Sequence, residues 1–494
     1  MVITPVHYIA FPLLAAFLIP LIGKINRQAA RIIPGIVLSY LAFVSVNLMI
    51  EVQSVGFITE TLAGWKAPWG INLVFSKFSG LLATLISFMG LIIWAYSFNF
   101  KKVDTAISLK YQTLQMMMVT GALGMVLTGD IFNLFVFLEI VAISAYSLTA
   151  LYRNRDGAEA AFKYLLIGSF ASAFILLGII ILYTQVGTLN MAEISVRMVD
   201  VSIGMKTLIF TLFAVGFGIE AEIFPLNGWA PDAYSQAPGP IGAAFAAIVV
   251  KAGVYALIRV IFTIFDLDVA SEFLIYAGFV TMVIAELSAL RQTNLKRMLA
   301  YSSIGQMGFV LVAFGIGTQT AVVGALFLMF NHAVIKGLLF MSGSYLVYDT
   351  PGKEINALKG IAKQLPIVSF FFALGAFAIV GLPPFAGFWA KLWVLTAAAE
   401  KEMIMLIVII LLISVVEIVY YFRVLNKLYF DKRKEGVEVI KPTVQAFASM
   451  SVLAVTIIVV GLYPDIILGF LKNASDTLMD KSIYIKNVLG ENMN

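Results

Sequence analysis

The 494-residue chain contains no cysteine. Disulfides, thiolate-held iron–sulfur clusters and cysteine-type zinc sites are thereby excluded. Histidine is almost as scarce, with His7 near the start and His332 deep in a late apolar stretch. A haem held by that pair is not expected. No nucleotide-binding motif is present, and no cofactor is expected in this chain, so any linked redox chemistry would belong to a partner. Charge is thin too: 12% of residues are Asp, Glu, Lys or Arg, against 61% hydrophobic. Soluble domains carry about 25% charged residues, so a soluble enzyme or nucleic-acid binder is excluded. No low-complexity segment appears. The longest connections, Glu51–Lys77 and Gln185–Gly204, are 27 and 20 residues, too short for a separate aqueous domain.

Apolar runs of eighteen or more residues recur along the whole chain, each able to cross about 30 Å of hydrocarbon. Fourteen spans are predicted, at 5–22, 32–50, 78–98, 112–129, 131–150, 160–184, 205–230, 239–264, 270–290, 298–317, 320–347, 366–398, 403–422 and 444–470. The expected class is an all-α polytopic membrane protein. The first run has no basic stretch ahead of it, and Lys24 and Arg27 follow it. It is expected to be a retained helix rather than a cleaved signal.

Lysine and arginine placement supports the count. Connections after odd-numbered spans carry 21 of the 33 basic residues, including Lys24, Arg27 and Arg31; Lys101, Lys102 and Lys110; and Arg423, Lys427, Lys432, Arg433, Lys434 and Lys441. The opposite side carries 8. The positive-inside rule then predicts a cell-membrane protein with both termini outside. A missed or invented span would have broken this alternation partway along. The net charge of +5 reflects cytoplasmic loops beside anionic lipid, and no nucleic-acid partner is expected.

Four basic residues remain, all within spans: Lys251, Arg259, Lys336 and Lys391. Arg259 lies near the outer end of the eighth span and is expected to snorkel to the interface. The three lysines are central, where a charge costs about 2.5–3.5 kcal/mol on insertion scales unless it is paired or faces water. Acids occupy matching depths: Glu139 in "IFNLFVFLEIVAISAYSL", Glu220 and Glu222 in the seventh span, Glu286 in the ninth and Glu417 in the thirteenth. Salt bridges that merely fix packing are the plain alternative. Buried pairs are weak stabilisers, however, and so many charges at one depth fit a proton or cation relay better.

Two spans carry helix breakers at that depth. Pro225 follows Glu220 and Glu222 in "AEIFPLNGWAPDAY", and Pro383 and Pro384 precede Lys391 in "GLPPFAGFWAK". Broken membrane helices expose carbonyls and half-helix ends that stabilise ions or water. Pro225 and Pro384 stand 159 residues apart. That spacing predicts a duplication: spans 4–8 and 9–13 as two five-helix units. An odd number of crossings makes the second copy run inverted. The chain then divides into residues 1–110, a first repeat at 111–265, an inverted repeat at 266–430 and a C-terminal helix and tail at 431–494.

These motifs resemble a known family, the antiporter-like subunits of complex I and of Mrp-type multisubunit sodium/proton antiporters. The resemblance rests on "GDIFNLFVFLEI", "FPLNGWAPDAYSQAPGPIGA", "VKAGVYALIR", "ALRQTNLKRMLAYSSIGQMGF", "NHAVIKGLLF" and "GLPPFAGFWAK", in that order. The chain looks most like the D-type component of the Mrp antiporter and its counterparts in membrane-bound hydrogenase-related complexes. The resemblance implies roles. Glu139 would tune a neighbouring lysine and Lys251 would be a relay lysine. His332 and Lys336 would connect the two halves, and Lys391 would face the exit path. It also implies partners: other membrane subunits, the lipid bilayer, protons and sodium. One position departs from the family, which places a lysine five residues before Pro225, where this chain has Glu220. Like charges at close range do not both ionise without compensation, so Glu139 and Glu220 would share a proton or hold a sodium ion. Three functional readings stand: an ion-translocating subunit of a larger complex, the pumping part of a ferredoxin- or hydrogenase-linked oxidoreductase, and a self-sufficient antiporter.

Overall fold

The computed structural model describes residues 3–98, 105–265, 267–348, 353–432 and 439–490. Lys101, Lys102, Arg433 and Lys434, and position 266 where the second repeat is predicted to begin, lie outside them.

The chain opens with α1 (His7–Ile25) and α2 (Arg27–Val55), then a hairpin of β1 (Phe57–Thr61) and β2 (Asn72–Ser76). The strands run antiparallel, Phe57 opposite Ser76 and Thr61 opposite Asn72. There follow α3 (Lys77–Ser97), α4 (Thr105–Leu127), α5 (Ile131–Thr149), α6 (Arg155–Val186), the short α7 (Met191–Arg197), α8 (Ile203–Glu220) and α9 (Ala230–Gln236). Next come α10 (Gly239–Ala244) and α11 (Val250–Ile264), which form one rod, then α12 (Leu267–Arg291), α13 (Leu295–Ile316) and α14 (Gln319–Leu346). The chain closes with α15 (Pro366–Val380), α16 (Ala386–Glu400), α17 (Ile404–Tyr429), α18 (Val444–Leu462), α19 (Asp465–Met479) and α20 (Lys481–Leu489).

Twelve helices among the described residues are long and apolar enough to cross a membrane, with the α10–α11 rod counted as one. The more polar α4 and the broken pair α15/α16 occupy the positions of the other two predicted spans. Helix starts follow local chemistry. Asn26, Asp130, Asn154, Asn294 and Thr318 each accept a backbone N–H of the first turn, satisfying a donor that hydrocarbon could not.

Several predicted boundaries are corrected. The seventh span ends as a helix at Glu220 and resumes at Ala230. The last span stops at Leu462, and the tail folds into α19 and α20. The two longest connections contain the β1–β2 hairpin and α7. Strand pairing and amphipathic surface helices leave little mark in a chain dominated by span-length hydropathy.

Burial decides where chemistry can sit. The most apolar stretch of the α10–α11 rod is wholly enclosed and those of α13 and α14 are 94% buried, whereas α1, α6 and α17 bury only about a third. These outer helices leave most of their apolar surface unburied, and the enclosed three form a central axis. At the second break the packing is tight: a Cβ on Gly387 of α16 would lie 1.9 Å from the Ala378 carbonyl oxygen of α15. Gly387→Ala is therefore expected to destabilise the protein by about 1–3 kcal/mol through overpacking against backbone. A lowered thermal unfolding midpoint of the purified complex would show it.

Candidate functional site

The first acids lie along the break after α8. Glu139, midway along α5, accepts a hydrogen bond from the Ser172 hydroxyl of α6. Pro225 has no N–H for the Ala221 carbonyl four residues back, so the helical ladder cannot pass through this point. Glu220 ends α8 and is buried, and its Oε1 accepts no hydrogen bond from any described residue. Glu222, fully buried, adopts φ 61°. That left-handed conformation costs a non-glycine residue about 1–3 kcal/mol and is concentrated at functional sites. Glu220 feels the charges of Glu139 and Glu222. Glu222 faces the Tyr234 hydroxyl, Lys251 and Lys336. Glu220 thus interacts with both of the other acids, and among the described residues no group of three His, Cys, Asp or Glu side chains could hold a metal ion.

Lys251 follows directly from a local distortion. Residues Phe245–Val249, between α10 and α11, form a π-turn, a feature common at functional sites. The Lys251 ammonium donates to the Ala246 carbonyl inside that turn at 3.1 Å and approaches Met307 Sδ at 3.5 Å. It also lies 2.5 Å from His332 Nδ1. A protonated ammonium has only hydrogens to give, so whenever Lys251 is charged, Nδ1 accepts and His332 carries its proton on Nε2. That nitrogen lies 3.0 Å from Ser303 Oγ. The helical spacing of α14 puts Lys336 one turn along the face that bears His332. Lys336 Nζ donates to the Leu299 carbonyl at 3.2 Å and to the Tyr421 hydroxyl at 3.1 Å.

The second break explains Lys391. Pro384 has no N–H for the carbonyl of Val380, four residues back, and Lys391 Nζ donates to that carbonyl at 3.0 Å. The ammonium also pairs with Glu417 of α17, whose other oxygen accepts from Gln306 of α13. Ser414 Oγ is 3.4 Å from the same ammonium. Every one of Glu220, Glu222, Lys251, His332, Lys336, Lys391 and Glu417 is buried.

Of the predicted site residues, Lys251 and His332 are brought into direct contact, Lys336 and Lys391 bond to separate partners, and Glu139 is only partly buried on α5. Two expectations change. Arg259 does not snorkel: it is 4% exposed, and its guanidinium carbon sits 4.0 Å from the centroid of the Tyr484 ring on α20. The C-terminal tail is thus no mere appendage, because it covers that end of α11. Glu139, for its part, is near Ser172, Tyr146 and Glu220 and makes no hydrogen bond or ion pair with a lysine among the described residues.

Sequence reasoning missed Ser302, Ser303, Gln306, Tyr420 and Tyr421. "YSSIGQ" interrupts an otherwise apolar span with several hydroxyl and amide groups, and that is the signal that could have found them. Its meaning depends on α13 being enclosed, which composition does not reveal. Glycine also matters in this segment. A Cβ on Gly305 would lie 2.2 Å from Glu286 Oε1. Gly305→Ala is expected to push that flexible carboxylate aside, lowering ion transport more than thermal stability, as paired transport and melting measurements would show.

Residues 128–417 match a family model described as NADH:quinone oxidoreductase/Mrp antiporter, TM. A chain of the membrane-bound sulfane sulfur reductase, an archaeal respiratory membrane complex, superposes with a TM-score of 0.92 at 38% identity, covering 98% of this chain and 99% of that one. NADH-quinone oxidoreductase subunit N of Desulforudis audaxviator is 34% identical over 374 residues, 74% of each protein. The putative antiporter subunit mnhD2 of Staphylococcus aureus is 31% identical over 489 residues, 98% of each.

Proposed function

The chain belongs to the NADH:quinone oxidoreductase/Mrp antiporter transmembrane family, and from that premise we propose that it moves protons along a mid-membrane relay from Glu139 to Lys391. At the coarser level it is a multi-pass, cation/proton-translocating subunit of an Mrp-type antiporter or complex-I-like assembly. The relay reading draws its support from one observation above all: Lys251 on the enclosed α11 contacts His332 on the enclosed α14 at 2.5 Å, with Glu220, Glu222 and Glu417 buried on the flanking segments. Glu220 and Glu222 load the first half, Lys251, His332 and Lys336 carry charge across the middle, and Lys391 with Glu417 serves the far end. Spans 4–8 and 9–13 act as the two arms of an inverted repeat. Both termini face outside, and no cofactor is held in this chain.

Lys336 stands between the two halves, so Lys336→Ala is the direct test in everted vesicles bearing the whole complex. Proton transport is expected to fall by about 100-fold or more, the scale for losing a positioned proton-transfer group, while blue-native electrophoresis still shows the assembled complex. Wild-type transport would overturn the reading.

The Glu220 departure supports a second, cation-handling role for the first half. Its grounds are the unpartnered, buried carboxylate oxygen and the antiporter named in the 31% identical relative. Sodium is the monovalent cation proposed to occupy it. Glu220→Gln is expected to alter sodium or proton flux, read with sodium- and pH-sensitive dyes, and unchanged flux of both ions would reject that role. The 38% identical respiratory relative supports attachment to a redox-driven complex. Co-migration of the chain with an iron–sulfur subunit on native gels would establish it, and migration as a 54 kDa species would favour a self-sufficient antiporter.

A further inference from the structure

The hydrogen bonds of Lys336 do not reach Lys391. Its ammonium reaches only the Leu299 carbonyl and the Tyr421 hydroxyl among the described residues, and Lys391 bonds to Val380, Ser414 and Glu417. Neither set includes a hydrogen bond between the two lysine sites. A different chain of groups begins at Tyr421. Its hydroxyl lies 3.1 Å from Ser302 Oγ, Ser302 Oγ lies 2.7 Å from the Tyr420 hydroxyl, and that hydroxyl lies 2.8 Å from Glu286 Oε2. All five side chains are buried, and none is more than 1% exposed.

With Lys336 protonated and Glu286 ionised, the two ends would fix the direction of every bond. A protonated ammonium can only donate and an ionised carboxylate can only accept, while each hydroxyl has a single hydrogen. The Tyr420 hydroxyl contacts both Ser302 and Glu286 and has one hydrogen, so in that charge state it gives the hydrogen to Glu286 and accepts one from Ser302. Ser302 then accepts from Tyr421, which accepts from Lys336. All donors point the same way, from Lys336 to Glu286. Beyond Glu286 lies a small cavity of about 10 Å³, bordered by Gln306, Lys391, Ser414 and Glu417, which is roughly the room one water requires. The second carboxylate oxygen of Glu286 has no hydrogen-bond partner among the described residues and packs directly against Gly305, where a Cβ would meet it at 2.2 Å.

We propose that Tyr421, Ser302, Tyr420 and Glu286 form a hydroxyl wire that carries the proton from Lys336 to the Lys391–Glu417 pair. Lys336 releases one proton to Tyr421, each hydroxyl passes its own hydrogen to the next, and Glu286 takes up the last. Lys336 ends neutral, Glu286 ends protonated, and every hydroxyl keeps one hydrogen in reversed orientation. Glu286 then discharges through the cavity toward Glu417, and rotation of the three hydroxyls resets the wire. This assignment rests on the relay reading and adds its route through the second half.

The test uses everted vesicles carrying the whole complex, with assembly followed on native gels. Tyr420→Phe and Tyr421→Phe keep the rings and remove only the hydroxyls. Each is expected to lower proton transport about tenfold or more, toward the scale of a lost proton-transfer group. Ser302→Ala should do the same, and Ser302→Thr, which restores a hydroxyl, should recover most of the loss. Packing defects would not follow the hydroxyl in this way. Wild-type transport in Tyr420→Phe and Ser302→Ala, with Lys391→Ala inactive, would overturn the wire and leave the relay standing. Wild-type transport in Lys391→Ala would overturn both.

Discussion

Glu417→Gln is expected to abolish ion transport and to destabilise the protein, whereas an apolar replacement of the whole pair should abolish transport alone. Glu417 is 1% exposed and Lys391 8%, and the two are paired. Removing one member strands the other charge in a low-dielectric interior, a loss of about 3–5 kcal/mol. Replacing both with well-packed apolar groups of similar volume is often neutral or stabilising. The double variant Lys391→Met/Glu417→Leu is therefore expected to melt near or above the wild-type temperature. If the pair exists to fix helix packing, that variant should also transport ions. If it is the end of a relay, the variant should fold, assemble and remain silent. Thermal stability and transport measured on the same preparation separate the two roles, because they move in opposite directions only under the relay account.

The second large effect is expected at the junction of the halves. His332→Leu removes the group that links Lys251 to Ser303. Lys251 then keeps only the Ala246 carbonyl and the Met307 sulfur as partners among the described residues, and the first half loses its hydrogen-bonded exit. Transport should fall by about 100-fold or more, the upper part of the range for a positioned acid–base group. His332→Gln can still accept from Lys251 through its amide oxygen, and its amide nitrogen can donate to Ser303. It has no ring nitrogen to exchange protons, so it should restore folding without restoring transport. Equal transport by the wild type and His332→Gln would show that the histidine only holds the helices in place.

Much of this architecture is legible in the amino-acid sequence because the bilayer imposes a simple code. Span length, loop charge and proline position identify the helices, the two breaks and the depth of Lys251, Lys336 and Lys391. The partners are less legible. Glu417 is identifiable as an acid at the right depth, yet its pairing with Lys391 depends on how α16 and α17 turn toward each other. The roles of Ser302, Tyr420 and Tyr421 depend on α13 being enclosed and α17 facing it with one edge. Small hydroxyl residues occur in membrane helices for packing as well, so their identity alone carries little. Arg259 shows the opposite failure. Its position near a span end points to snorkelling, and only the folded tail places Tyr484 over its guanidinium.

A relay that runs through both halves makes one demand that no packing role shares: cutting either end must stop the same flux. Proton transport in everted vesicles bearing the complete complex should therefore be measured for Glu139→Ala and Lys391→Ala side by side. Both variants are predicted to be inactive while the complex remains assembled. Wild-type flux from either one, in an intact complex, would contradict a single path from Glu139 to Lys391.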